Sequence, residues 1–244
     1  GDVLGLAEAL ADEGTRAGAT EERLVALEEL GELQAGVLNA PEAALQTWRE
    51  VLSLRPEHSA ARRHIVRLTE RLARWPEHLA ALEQELDSTR DEGRLLTLMV
   101  QCAETCDRAL GDRAAARRFL ERALAMNPRY LPALQSMGRI LHGAAQWAEL
   151  VDMYRREIEV SRATSDAVQL QMKIGLVLRD QLAEPLEAAR AFEKALELEP
   201  GHLPAIRALQ AIFAEVGDVA REAEAMALEA EHLGDTTARV AMFC

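Results

Sequence analysis

Apolar residues recur along this chain at helical spacing. Between Ala43 and Leu54, Ala44, Trp48, Val51 and Leu52 fall at i, i+4, i+7 and i+8, one apolar stripe. The spacing predicts an amphipathic helix, and Pro56 ends it because proline cannot extend the hydrogen-bond ladder. The pattern returns with Ala116, Leu120 and Leu124 before Pro128. It returns again with Ala188, Phe192 and Leu196 before Pro200.

These returns are 72 residues apart. Shifted by 72, the sequence aligns with itself without insertion. Leu38, Leu110 and Leu182 share a column, as do Pro56, Pro128 and Pro200, and Glu85, Glu157 and Glu229. Each 72-residue unit halves again. Leu30-Gly31 and Ala44-x-x-x-Trp48 precede Pro56, and Ile174-Gly175 and Ala188-x-x-x-Phe192 precede Pro200. The middle copy reads Cys102-Ala103, then Ala116-x-x-x-Leu120 and Pro128. Met137-Gly138-x-x-Leu141 gives a weaker version in the second half-unit, where Val66 and Gln210 replace the glycine in the other copies.

This pattern resembles the tetratricopeptide repeat, L-G-x-x-Y, A-x-x-x-F, P. The resemblance implies an all-α fold, a right-handed superhelical solenoid of antiparallel helix pairs. Residues 20–235 make six repeats, alternating a strong and a weak type. By register, residues 1–19 hold the second helix of a truncated preceding repeat (residues 3–13) and a linker. Residues 236–244 begin a truncated following repeat. The expectation is therefore a stretch cut from a longer array. Glycine or alanine at positions 31, 138, 175, 44, 116 and 188 lets helices approach closely. Gly143 and Gly217 suit helix C-termini, Pro132 and Pro204 suit first turns, and His58 and His202 suit a turn or cap.

Composition agrees. The chain of 244 residues is 49% hydrophobic but only 4% aromatic, which fits an aliphatic helical core better than a β-sandwich or barrel. Three cysteines give no disulfide framework, and no apolar run reaches the ~18 residues of a membrane span. A net charge of −13 disfavours nucleic acid. The charge is uneven: residues 1–58 carry 4 basic and 12 acidic side chains, residues 59–130 carry 13 and 11. A cytoplasmic location is expected.

Candidate chemistry is sparse. Cys102 and Cys106, at i, i+4, are two thiols without two further zinc ligands, so they read as core residues. The histidines form no ligand pattern, and no phosphate loop or nucleophile elbow occurs. Glu85, Glu157 and Glu229 read as solvated or ion-paired. No catalytic residue, metal or cofactor is assigned, and the chain is expected not to be an enzyme.

What remains is a surface. The family resemblance places groove-facing positions three before, one after and four after the glycine column. These give Glu28, Glu32 and Ala35; Arg63, Arg67 and Glu70; Val100, Glu104 and Asp107; Gln135, Arg139 and His142; Met172, Leu176 and Arg179; and Arg207, Ala211 and Ala214. The expected partner-binding residues are Arg63, Arg67, Gln135, Arg139, His142, Arg179 and Arg207, since arginine offers a planar fork to carboxylates. The expected partner is a protein or peptide with acidic residues, held along the concave face. The carboxylate-clamp variety is contradicted, because the first repeat carries Glu28 and Glu32 where it needs Lys and Asn. Two alternatives stay open: an accessory region of a larger enzyme or signalling protein, and end-to-end self-association through Leu4, Leu6, Val240 and Phe243.

Overall fold

The computed structural model describes residues 3–16 and 20–232. Every regular element among them is a helix: α1 (Val3–Arg16), α2 (Thr20–Ala35), α3 (Pro41–Leu54), α4 (Ser59–Arg71), α5 (Trp75–Ser88), α6 (Glu92–Glu104), α7 (Arg113–Met126), α8 (Leu131–Gly143), α9 (Trp147–Val160), α10 (Thr164–Asp180), α11 (Pro185–Leu198), α12 (Leu203–Val216) and α13 (Val219–His232). A π turn, Thr105–Ala109, continues α6. The chain forms two compact units, residues 1–126 and 127–244. In each, helices pack on their neighbours in sequence, the build of a helical solenoid.

Helix starts keep the sequence period. α3, α7 and α11 begin at 41, 113 and 185, and α5, α9 and α13 at 75, 147 and 219, each 72 residues apart. Proline opens α3 and α11 and is the second residue of α5, α8 and α12, where its missing amide costs nothing. His58 and His202 cap α4 and α12. Their Nδ1 atoms accept from the amides of Ala61 (3.1 Å) and Ala205 (3.3 Å).

The turn inside every helix pair carries one residue in the left-handed region. These are Asn39, Gly111 and Ala183 in one column, and Ala73, Ala145 and Gly217 in the other, with φ from 50° to 73°. The two columns close differently. Ala40, Asp112 and Glu184 donate their amides six residues back, while Arg74, Gln146 and Asp218 donate five back. Gly217 fills its column as expected of a glycine after a helix. Gly143 does not: it is the last residue of α8, and the left-handed position falls on Ala145.

Packing explains the small residues. A Cβ on Gly31 would lie 2.7 Å from the Trp48 ring, and one on Gly175 would lie 2.5 Å from the Phe192 ring. In the middle copy the column holds Ala103, and the facing residue is the smaller Leu120. Gly138 departs from the expectation of close approach. A Cβ there meets Leu150 at 3.7 Å, an ordinary contact.

Candidate functional site

The predicted groove positions sort into columns whose partners repeat. Three before the glycine column, Gln135 donates to Glu157 at 3.0 Å. Arg207 donates to Glu229 at 2.7 Å, with Gln210 at 2.8 Å on the other oxygen. Glu229 is 4% exposed. Burial pushes its carboxyl toward the neutral form, but the hydrogen bonds from Arg207 and Gln210 outweigh this and hold it below the usual glutamate range. The first copy breaks the pattern. Glu85 is held from the next helix pair by Arg94, at 2.6 and 3.0 Å, and its Oε2 has no partner. Arg63 is exposed and makes no hydrogen bond or ion pair among the described residues.

One after the column, Arg67 and Arg139 turn back along their own helices. Arg67 donates to Nδ1 of His64 at 3.1 Å, and Arg139 to Oγ of Ser136 at 2.8 Å. His64 stacks on the Trp48 ring, centroids 4.0 Å apart. Burial, then the Arg67 charge, lowers its pKa, so the ring stays a neutral acceptor.

Four after the column, His142 is exposed and meets Trp147 edge-on at 5.3 Å. Arg179 pairs with the adjacent Asp180 at 2.6 Å, which lowers the carboxyl pKa and raises that of the guanidinium. Glu28 accepts from Nε2 of His58 at 2.8 Å. Of the remaining predicted positions, Val100 is buried in the core, whereas Leu176, Ala211 and Ala214 are exposed.

The N-terminal unit gathers several of these positions around two clefts between successive first helices. One, of 400 Å³, lies between α2 and α4 and is lined by Glu32, Ala35, His64, Arg67 and Arg71. The other, of 510 Å³, lies among α4, α5 and the π turn and takes in Glu70, Glu104, Trp75 and His78. Trp75 and His78 were not foreseen as site residues. The signal was present in the alignment. Thr69 stands in a column with the buried Leu141 and Phe213, and His78 in one with the buried Leu150 and the glutamate Glu222.

The other chemical candidates are structural. Cys102 and Cys106 are free thiols with no exposed surface. Burial pushes the Cys102 thiol up to about 12 and raises that of Cys106, so neither is a ready nucleophile. Of the apolar end residues, Leu4 and Leu6 are 67% and 52% exposed, while Val240 and Phe243 lie outside the described residues. No helix among the described residues is long and apolar enough to cross a membrane.

Neither a family model nor a curated protein sequence matches the chain. Solved structures do. YrrB, a tetratricopeptide protein with an unusual peptide-binding site, aligns at TM-score 0.52 and 18% identity over 83% of this chain and 98% of its own. MamA aligns at 0.53 and 17% identity over 72% and 92%. The C-terminal part of a tetratricopeptide protein from Cytophaga hutchinsonii aligns at 0.54 and 12% identity over 86% and 78%. The chain has the tetratricopeptide fold, a helical solenoid.

Proposed function

We propose that this protein is a non-catalytic scaffold that holds an extended segment of a partner protein along the face of its first helices. The observation that carries this reading is the pair of clefts between successive first helices of the N-terminal unit. Both are lined by groove positions, Glu32, Ala35 and Arg67 in one, Glu70 and Glu104 in the other. In the C-terminal unit the corresponding positions offer uncovered apolar surface at Leu176 (40% exposed), one helical turn before Arg179 on α10. Arg63, Arg67, Gln135, Arg139, His142, Arg179 and Arg207 supply the polar contacts. Because arginines and glutamates share this face, the partner carries charges of both signs, with its acidic residues at the arginines.

Peptides selected from a random library on the purified chain test the reading. The paired change Arg67→Glu and Arg139→Glu should weaken the selected peptides by about tenfold or more. Leu186→Gln, on α11, should leave them unchanged. Equal binding by all three proteins removes this face as the site. A second reading, self-association, is favoured by the exposure of Leu4 and Leu6. A concentration-independent monomer in light scattering would dismiss it.

A further inference from the structure

Three departures from the 72-residue repeat meet at the larger cleft. The first is a buried polar pair. Thr69 and His78 are 0% and 5% exposed where the second copy buries Leu141 and Leu150. Nδ1 of His78 lies 3.0 Å from the carbonyl oxygen of Val66 and 3.2 Å from Oγ1 of Thr69. A carbonyl only accepts, so Nδ1 carries the proton of the neutral ring and Nε2 is left as an acceptor. Nε2 has no partner among the described residues, and His78 lines the cleft. Nε2 is not among the wholly buried unpartnered atoms, so a group in the cleft can reach it, whereas the second copy fills both positions with leucine.

The second departure is the π turn on the opposite wall. α10, the corresponding helix of the third copy, runs through Asp180 without one. Such turns are less favourable than α-helix and concentrate at functional sites. The third is charge. Glu70 lines the cleft where the later copies have His142 and Ala214, and Glu104, which shares its column with Glu32, faces it where the next copy has Leu176. Arg108 is the one cation among the described wall residues, 3.9 Å from Glu104. Trp75 meets His78 edge-on at 6.0 Å and adds a half-buried aromatic surface.

We infer that this cleft is a subsite for an arginine side chain of the partner. Two carboxylates and a lone imidazole nitrogen call for a cation with several donors, and an indole face favours a flat one. A guanidinium can donate to a carboxylate and to Nε2 of His78 while stacking on Trp75. A volume of 510 Å³ admits such a side chain. The inference rests on the groove reading, because Glu70 and Glu104 are groove positions.

The test is a titration of the full chain with acetyl-arginine amide, followed by nuclear magnetic resonance of the tryptophan indoles and histidine rings. Acetyl-citrulline amide, the neutral isostere, serves as control. The arginine probe should shift the Trp75 and His78 signals saturably, and citrulline should bind about tenfold more weakly or worse. Glu70→Gln with Glu104→Gln should lower arginine affinity by about tenfold. Thr69→Leu with His78→Leu should lower it similarly in a protein that remains fully helical. Equal binding of the two probes, or shifts no larger at Trp75 than at Trp147, overturns the inference, as does the absence of any shift. Arginine binding alongside failure to select groove peptides would sink the groove reading and leave the subsite standing. Selected peptides that bind without any arginine would do the reverse.

Discussion

At positions 69 and 78 the N-terminal unit buries a threonine and a histidine; 72 residues later the C-terminal unit buries Leu141 and Leu150. The first helices continue the contrast. Glu32, Arg67, Glu70 and Glu104 line the clefts of the N-terminal unit, while Leu176, Ala211 and Ala214 lie uncovered in the C-terminal one. Yet the helix starts keep one period, and the left-handed turn residues hold one register. The backbone is kept by a few steric devices, and the first-helix face is free to vary. A repeat array can thus present different chemistry in each segment without changing how its helices pack.

The strongest way to break the comparison is to attack the tightly packed glycine of a strong-type repeat in one unit and the loosely packed glycine of a weak-type repeat in the other. Gly31→Ala drives a methyl group against the buried Trp48 ring and should cost roughly 2–3 kcal/mol by overpacking. Gly138→Ala meets only an ordinary contact and should gain up to about 1 kcal/mol from helix propensity. Thermal melts of the two variants should move in opposite directions. Adding Trp48→Leu to Gly31→Ala recreates the Ala103–Leu120 pair and should recover much of the loss.

Acid titration sharpens the contrast at the glutamate column. Glu229 has a lowered native pKa, so its contribution is fully present above the ordinary glutamate range. It is lost as pH falls through the native value. Arg207→Gln should therefore lower the melting temperature near neutral pH, and the deficit should vanish in strong acid. A deficit of constant size down to pH ~2 would show that Arg207 acts through packing rather than through the carboxylate charge.

The smallest effect concerns the turns. Ala73→Gly and Ala145→Gly relieve a side chain held at φ 53° and 54°, and each should stabilise its unit by about 0.5 kcal/mol. Gly217→Ala should do the opposite by a similar amount. Denaturant midpoints for the three variants check the sign at each site.

Much of the fold was legible because its causes are local. Pro56, Pro128 and Pro200 mark helix ends, and the alanine and aromatic columns mark where helices touch. The rest depends on geometry that residue type does not announce. Ala73, Ala145 and Ala183 carry no sign of a left-handed turn, since alanine is an ordinary helix former. Nothing in Thr105–Ala109 announces a π turn. The arginines were found by position, but their directions follow side-chain packing. Arg67 folds back onto His64, and Arg207 turns to Glu229, so counting arginines overstates the positive charge left for a partner. The Trp75–His78 cleft was hidden because His78 reads as one scattered histidine until its column is compared with Leu150.

The two turn columns also set a rule for editing this chain. One column closes six residues back and the other five, and they alternate. Removing or inserting 72 residues would join like turn to like turn and keep every glycine facing its aromatic partner. Removing a single helix pair would place a five-residue closure where a six-residue one belongs and shift every later contact out of phase. The smallest interchangeable part of this protein is therefore four helices, not two.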